Sequence, residues 1–321
     1  MAEAQGRITL WGVEVFLAAA EERSVSAAAR RLGASVSGVS QQLQALELAL
    51  GVTLMDRSAR PMRLTPAGEM FRRRAQLIAN EAEQARAELA AGDLAGLTLL
   101  RLGMVEDFDS DVTPRLLTAM AADLAHCQFL LETGASHRLL EQLDTRALDM
   151  VVAADMGAPA DWMEVHPLLS EPFIVAAPRG LVDPGGDVLA QLRALPLILY
   201  TQRHHMGRQI AAHLARQELK LAHRFELDSY HAIMAMVAEG AGWTILTPLG
   251  FLHAQRFRDR ADVLPLPVAP LARTISLSAR RGGLMGMPEQ VAGRLRPLLQ
   301  ELVVAPATAR MPWIEGALRV L

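Results

Sequence analysis

The sequence predicts a chain of mixed class, with an all-helical N-terminal region, a long helix and then a larger α/β region. Apolar residues recur at helical spacing through residues 8–90. After about residue 97, short apolar runs that are typical of buried strands alternate with helical segments. The 321 residues are enough for about two domains, and 51% of them are hydrophobic, so a sizeable core is expected.

The N-terminal region begins with two short predicted helices. The first has an apolar face on which Val13 and Phe16 lie. Ser26 precedes AAARRLG and is the predicted N-cap of the second helix, which Gly33 is expected to end. The segment thus forms the first part of a helix-turn-helix layout.

The third predicted helix, in ASVSGVSQQLQALE, has an unusual polar face. Ser35 is its predicted N-cap, and the helix is expected to run to about Leu50. Ser40 and Gln41 lie three and four residues after Ser37, so the three can share a face, while leucines occupy the other. Such small hydroxyl and amide side chains can bond base edges or phosphates in a DNA groove.

A basic turn and a long helix follow. VTLMDRSARPMRLTP predicts two short strands around the turn, and Thr65-Pro66 predicts the start of the long helix. This helix carries a narrow apolar seam of the coiled-coil type, which we interpret as a dimerisation seam. Its members are Phe71, Ala75, Ile78, Ala82, Ala85 and Leu89. The alternative is one edge of an ordinary core helix.

Charge is distributed unevenly along the chain. Residues 23–74 contain nine arginines and three acidic residues, a balance of +6, whereas the whole chain has a net charge of −3. This asymmetry favours a phosphate-binding surface on the N-terminal region, although a solvated arginine face remains an alternative.

The second region predicts strands in TLLRLGMV, CQFLLETG, LDMVVAAD, FIVAAP, LPLILY and GWTILTP, arranged in a mostly parallel sheet. The only cysteine, Cys127, is predicted to be a buried and inert thiol, and it excludes an internal disulfide. No structure is predicted for residues 306–321.

Residues 16–68 resemble the LysR-type transcriptional regulators. The resemblance lies in the AAARRL helix, Val39-Ser40, Gln42-Leu43, LE-x3-LGV-x-L-x-x-R and the closing LTPAG. It implies a winged helix-turn-helix in residues 1–66, a linker and dimerisation helix in 67–91, and a two-lobed α/β effector domain of the periplasmic-binding-protein type II fold in 95–305. One lobe would comprise about 95–169 and 272–305, and the other about 170–271, with 306–321 as a tail.

The resemblance implies that double-stranded DNA and a small-molecule effector are partners. The candidate DNA-binding residues are Ser26, Ser35, Val36, Ser37, Ser40, Gln41, Gln42, Arg57, Arg60 and Arg63. The chain has Val36 where a glutamine is frequent in the family, and neutral Gln41 where a basic residue is frequent. The reading surface is therefore unusually neutral, and arginines of the wing are expected to provide much of the affinity.

The resemblance also places an effector between the lobes. The candidate contacts are Glu106, Asp107, Gly134, Ser136, Thr201, Gln202, His204 and Thr247. The acidic pair Glu106-Asp107 would repel a carboxylate or select an amine, which leaves the sign of the ligand open, with a zwitterion as one option. No cofactor and no metal are expected, since His204-His205 lacks matching ligands.

Other classes of protein remain as alternatives. Enzyme motifs such as GxSxG, HExxH and a phosphate-loop lysine are absent from the sequence, so an enzyme is not expected. A receptor module of the same two-lobed fold with degenerate or lost DNA binding is the main rival. No secretory signal and no apolar run of membrane-spanning length are found, so a cytoplasmic, nucleoid-associated homodimer or tetramer is expected, with RNA polymerase as a candidate partner.

Overall fold

The computed structural model describes residues 7–90 and 97–321, which divide into two compact units. The first contains the described residues up to Leu97 together with Asp144–Ala147, and the second contains Thr98–Leu143 and Leu148–Leu321. The segment AAGDLAG, whose two glycines make it the best candidate for a break between the two regions, lies mostly outside the described residues. Among the described helices, none is long and apolar enough to cross a membrane.

The first unit is a winged helix-turn-helix followed by a long helix, as predicted. Its elements are α1 (Leu10–Glu22), α2 (Val25–Arg31), α3 (Val36–Leu50), β1 (Met55–Asp56), β2 (Arg63–Leu64) and α4 (Pro66–Ala90). Phe16 from α1 and Val39 and Leu43 from α3 are fully buried in one core. The antiparallel strands β1 and β2 form the wing.

The N-cap predicted for α2 was wrong by two residues. The Ala27 amide donates to the hydroxyl of Ser24, at 3.3 Å, and Ser26 lies exposed in the first turn. The earlier start allows Val25 to pack against the core, a tertiary contact that the local pattern did not reveal. The prediction for α3 is confirmed, since the Gly38 amide donates to the Ser35 hydroxyl at 3.1 Å.

Gly68 permits close packing of α4 against the segment before the wing. A Cβ atom on this residue would lie 2.1 Å from the carbonyl oxygen of Leu54. Thr65 holds the same junction, because its hydroxyl accepts from the Gly68 amide at 3.0 Å and donates to the Thr53 carbonyl at 2.7 Å. The LTPAG segment therefore fixes the direction in which α4 leaves the wing.

The predicted dimerisation seam is wrong at its N-terminal end. Ala75 is completely buried in the core of its own unit, and Phe71 packs on Phe16 with ring centroids 5.2 Å apart. Farther along α4, Ile78 and Ala85 are exposed and Ala82 is half-buried. The side chain of Leu89 lies outside the described residues. The first turns of α4 therefore form one edge of an ordinary core helix, which was the alternative to a dimerisation seam.

The second unit is an α/β domain with two lobes. Its elements in chain order are β3 (Leu99–Val105), α5 (Val112–Asp123), β4 (Gln128–Gly134), α6 (Ser136–Asp144), β5 (Met150–Ala154), β6 (Met163–Pro172), β7 (Ile174–Pro178), α7 (Val188–Arg193), β8 (Leu197–Tyr200), α8 (His205–Arg216), β9 (His223–Leu227), α9 (Tyr230–Ala238), β10 (Thr244–Leu246), α10 (Pro248–His253), β11 (Ala261–Pro265), β12 (Ala272–Arg280), α11 (Met287–Leu299), α12 (Ala305–Arg310) and β13 (Arg319–Val320).

The sheets are less parallel than predicted. The lobe that contains β3–β6 and β12, called lobe I, has one sheet with the strand order β13-β6-β12-β5-β3-β4; the other lobe is lobe II. In the sheet of lobe I, β3 is parallel to β4 and β5, whereas β12 is antiparallel to β5 and β6. In lobe II, β7 pairs antiparallel with β10 and β11, and β8 pairs parallel with β9. The chain leaves lobe I through β6 and returns through β12, so these two strands must run in opposite directions.

The C-terminal segment belongs to lobe I and is not a separate tail. Strand β13 pairs with β6, and the Leu321 amide donates to the Leu168 carbonyl at 3.0 Å. Arg296 on α11 donates to the Leu321 carbonyl at 2.6 Å. Because this pairing joins residues far apart in sequence, no local pattern predicts it.

The prediction of a buried strand around Cys127 was also wrong. Strand β4 lies at the edge of its sheet, and Leu130 and Leu131 are exposed on it. Cys127 itself precedes the strand and is half-buried. Burial raises the pKa of its thiol, and Asp149 adds to that shift.

Candidate functional site

The exposed face of α3 presents the residues that sequence analysis selected. Ser37 and Gln41 are exposed, and Ser40 is half-buried. The Ser35 hydroxyl, besides capping α3, lies 3.3 Å from the Ser37 hydroxyl. Val36 is exposed on the first turn of this helix, and Gln42 is half-buried.

Glu47 connects α3 to the wing, and sequence reasoning missed this role. One carboxylate oxygen accepts from the Leu54 and Met55 amides at 2.8 and 3.1 Å. The other lies 3.0 Å from a guanidinium nitrogen of Arg57. Arg57 is therefore engaged within the protein, which makes it a weaker candidate for phosphate contact than sequence analysis predicted.

The basic surface of the first unit persists after its internal ion pairs are counted. Arg31 pairs with Glu21 and Glu22, and Arg72 pairs with Glu69 at 3.2 Å. Within the described residues, six further arginines of segment 23–74 are exposed and form no close ion pair with a carboxylate, although Arg63 lies opposite Asp56 in the wing. They are Arg23, Arg30, Arg60, Arg63, Arg73 and Arg74. Exposed guanidinium groups of this kind suit the phosphates of a DNA backbone.

The second unit contains a cleft between its lobes, with a cavity of about 70 Å³. Six of the eight predicted effector contacts line it: Glu106, Asp107, Gly134, Ser136, His204 and Thr247. These residues follow the carboxyl ends of β3, β4, β8 and β10, where open α/β sheets commonly bind ligands. The Ser136 hydroxyl also accepts from the Ala154 amide at 3.0 Å, which holds the start of α6.

Thr201 and Gln202, the other two predicted effector contacts, do not line the cavity. The Thr201 hydroxyl donates to a Glu226 carboxylate oxygen at 2.7 Å, and the Gln202 amide approaches the same oxygen at 3.2 Å. Thr201 is buried, whereas the Gln202 side chain is exposed. The bonds fix the loop that carries His204 into the cleft.

Arg273 lies at the floor of the cleft within a buried ion-pair network that sequence analysis missed. Its Nε and Nη2 atoms lie 2.7 Å from carboxylate oxygens of Glu171 and Asp107, respectively. Nη2 also approaches the Thr247 hydroxyl at 3.4 Å, and Glu171 accepts from the Leu249 amide at 2.7 Å. Burial lowers the pKa of Arg273, but the two carboxylates outweigh it and raise the pKa above its ordinary value.

Both tyrosines of the chain line the cavity, and sequence analysis selected neither. Tyr200 ends strand β8, and Tyr230 begins α9. Burial raises the pKa of each phenol, and the neighbouring carboxylates of Asp107 and Glu106 raise it further. Both hydroxyl groups therefore stay protonated at neutral pH.

Three histidines contribute neutral rings to the cleft. The rings of His137 and His204 pack edge to face with centroids 5.4 Å apart, and His205 begins α8. Burial lowers the pKa of all three imidazoles, and the nearby positive charge of Arg208 lowers it further. Within residues 7–90 and 97–321, no cluster of three His, Cys, Asp or Glu side chains has the arrangement of a metal site.

Three polar atoms in the cleft are buried without a hydrogen-bond partner among the described residues. They are Nδ1 of His137, Nε2 of His205 and Oε1 of Gln209. A buried polar atom without a partner costs about 1–3 kcal/mol, so native proteins rarely leave three in one place. All three residues line the same cavity, which makes it the candidate site for a polar ligand.

Comparison with known proteins gives the same division of the chain. Residues 10–69 match the family model described as bacterial regulatory helix-turn-helix protein, lysR family, and residues 92–292 match the LysR substrate binding domain. A probable hydrogen peroxide-inducible genes activator from Mycobacterium avium is 32% identical over 279 residues, which cover 85% of this chain and 88% of that protein.

Solved structures share the fold. A full-length OxyR variant from Pseudomonas aeruginosa has a TM-score of 0.66 at 24% identity, covering 91% of this chain and 95% of the other. Full-length CbnR in complex with its target DNA has a TM-score of 0.61 at 21% identity, covering 90% of this chain and 100% of the other. Since one family model matches more than half of the chain, this protein belongs to the LysR family of DNA-binding transcriptional regulators.

Proposed function

We propose that the exposed face of α3 reads base edges while the wing and neighbouring arginines bind phosphate. The hydroxyl and amide groups of Ser37, Ser40 and Gln41 support this assignment, as does the exposure of Arg60 and Arg63. Small side chains allow the helix backbone to approach the major groove closely, and arginines supply affinity that does not depend on sequence. Nucleoid association in the cell would follow from this activity.

Dimerisation through the C-terminal half of α4 is a second part of the proposal. Ile78 is exposed on this helix, Ala85 is exposed and Ala82 is half-buried, so this stretch offers small and apolar side chains for close pairing. An Ile78→Arg variant should therefore sediment as a smaller species than the native protein. An Arg73→Glu variant on the same helix serves as a control for a change of charge alone.

The cleft between the lobes is the proposed effector site. The observation that carries this assignment is that His137, His205 and Gln209 line one cavity and each has a buried polar atom without a partner among the described residues. A ligand that bonds these atoms in one arrangement of the lobes favours that arrangement by its differential affinity, which is the requirement for a regulatory effector.

The relatives named as peroxide-inducible raise peroxide as a second candidate signal. A response through an internal disulfide requires two cysteines, and this chain has only Cys127, which does not line the cleft. Burial also raises the pKa of this thiol, which lowers the fraction of the reactive thiolate. These observations favour reversible binding of a ligand in the cleft over thiol oxidation.

The proposal is tested by fluorescence anisotropy with a DNA fragment from upstream of the protein's own coding sequence. Native protein should bind it, and Gln41→Ala should change the ranking of operator variants more than the mean affinity. Gln44→Ala, on another position of α3, is the matched control. If the native protein binds no such fragment better than random DNA, the rival interpretation of a receptor module with lost DNA binding replaces this one.

A further inference from the structure

The charged groups of the cleft leave an excess of negative charge. Glu106 and Asp107 supply two carboxylates to the lining, and the buried Glu171 adds a third beneath it, whereas Arg273 is the one guanidinium among the residues that line the cavity. Arg273 already contacts both Asp107 and Glu171, so its positive charge is neutralised within the protein. Glu106 is exposed and, among the described residues, its carboxylate forms no hydrogen bond and no ion pair. A carboxylate in this state is available to a ligand.

The two tyrosines add to the preference for a cation. Tyr200 and Tyr230 line the same cavity as Glu106 and Asp107. The face of a tyrosine ring attracts a cation, and the attraction gains strength where water is excluded. Aromatic faces beside a free carboxylate are the elements that proteins use to hold an ammonium group.

The other polar side chains that line the cavity supply hydrogen-bonding groups and no further positive charge. The amide oxygen of Gln209 lacks a donor, and the rings of His137 and His205 each have one nitrogen without a partner. Arg138 and Arg208 lie near the histidines but are exposed, and Arg208 donates to the carbonyl oxygens of Gln202 and Arg203. Neither arginine lines the cavity.

The size of the cavity limits the ligand. It measures about 70 Å³, and one water molecule requires roughly 10–15 Å³ on this measure. The cavity as observed therefore has room for a small molecule of a few non-hydrogen atoms.

We propose that the effector is a small protonated amine whose ammonium group lies between Glu106 and the rings of Tyr200 and Tyr230. Additional donor groups of the same molecule bond Gln209 and the histidine rings. This inference rests on the cleft being the effector site proposed above.

Isothermal titration calorimetry of the full chain tests the charge preference with probes of similar size. Propylamine, ethanolamine and 1,3-diaminopropane carry the ammonium group, 1-propanol is neutral, propionate is anionic and β-alanine is zwitterionic. The amines should bind, with 1,3-diaminopropane tightest because of its second donor group. Propionate should show no heat of binding, and 1-propanol should bind at least about tenfold more weakly than propylamine.

Variants locate the ammonium group. Glu106→Gln should weaken propylamine at least about tenfold and leave the weak binding of 1-propanol unchanged. Glu289→Gln, which removes an exposed carboxylate that does not line the cleft, should leave both probes unchanged. Tyr230→Leu should weaken tetramethylammonium, a cation that cannot donate hydrogen bonds, more than it weakens 1-propanol.

Some outcomes would overturn the inference. An amine effector would be rejected if propionate bound more tightly than propylamine, or if no amine of the panel bound. It would also be rejected if Glu106→Gln and native protein bound the amines with equal affinity. Should a neutral or anionic probe bind and be lost in Gln209→Met, the cleft remains the effector site and only the ligand class is wrong. A probe that still binds to Gln209→Met and His205→Phe would place the effector elsewhere and reject both proposals.

Discussion

Arg273 and Glu171 face each other as registered partners on the two antiparallel strands that cross between the lobes. Their side chains meet at 2.7 Å, and Glu171 is completely excluded from solvent. Asp107 approaches the same guanidinium from the segment after β3, and Leu249 and Thr247 approach the network from lobe II. One buried charge network thus joins both lobes beneath the cleft.

Substitution Arg273→Met should destabilise the second unit strongly. It leaves two buried carboxylates without their counterion, and loss of one partner of a buried pair costs about 3–5 kcal/mol. For a domain of this size, the cost corresponds to a fall in Tm of roughly 6–20 °C, measured by calorimetry.

The control is Arg294→Met, because Arg294 pairs with Asp123 at an exposed site. Exposed pairs contribute about 0–1 kcal/mol, so its Tm should barely change. The double variant Arg273→Met/Glu171→Gln should recover part of the loss. Equal Tm values for Arg273→Met and Arg294→Met would show that the network carries no stability.

The cleft histidines predict a loss of stability on acidification. The pKa values of His137, His204 and His205 are lowered from 6.5, mainly by burial. The unfolded chain therefore binds protons more readily than the folded protein near pH 6. Stability from neutral imidazoles is fully present above about pH 6.5 and is lost as the pH falls through the lowered pKa values.

A His205→Asn variant tests this dependence by thermal unfolding across the acidic range. Its Tm should fall less steeply between about pH 7 and pH 5 than that of native protein, because one titrating group is removed. The neighbours of the His205 ring are Arg208, Arg273, His137 and Asp155. They are present in both native protein and the variant, so the comparison isolates the titration of His205. His126→Asn, at an exposed site, is the control and should follow the native profile.

Arg60 should contribute to DNA affinity without contributing to specificity. Arg60→Ala should weaken binding to all sequences and lower the slope of log affinity against log salt by about one unit. Arg57→Ala should change the slope less, because Glu47 already engages Arg57. Arg193→Ala, an exposed position of the second unit, should leave the slope unchanged. An unaltered slope for Arg60→Ala would remove this residue from the interface.

Cys127 should be dispensable for regulation. Cys127→Ser and native protein should show the same DNA affinity before and after treatment with hydrogen peroxide, since the thiol is half-buried with a raised pKa. Anisotropy with operator DNA measures both. A change in affinity on peroxide treatment that appears in native protein and disappears in Cys127→Ser would assign a redox role to this residue.

Local patterns were informative wherever neighbours in sequence determine the structure. Ser35 and Gly51 mark the two ends of α3 because capping depends on residues within one turn. The alternation of polar and apolar positions likewise separated the exposed Ser37 and Gln41 from the buried Leu43. The family motif extended these assignments to the whole first unit.

Predictions failed where burial depends on a distant partner. Ala75 shows the same spacing whether it faces a second chain or its own core, and only packing against α1 settles which. Leu130 and Leu131 look like core residues, yet β4 is an edge strand. Thr201 lies in the loop that follows β8, next to residues that line the cleft. Its hydroxyl nevertheless donates to Glu226 on a different strand, and Thr201 does not line the cavity.

The sequence by itself determined the family, the order of the domains, the polar face of α3 and six of the residues that line the cleft. These features depend on spacing within single helices and on the loops that end single strands. Only the tertiary structure decided which charged side chains of the cleft form ion pairs within the protein and which remain available to a ligand. Arg273, Glu171 and Asp107 are separated by long stretches of sequence. Pairing of β6 with β12 brings Arg273 and Glu171 together, and Asp107 reaches the same guanidinium from the segment after β3. This network leaves Glu106 as the available carboxylate of the cleft.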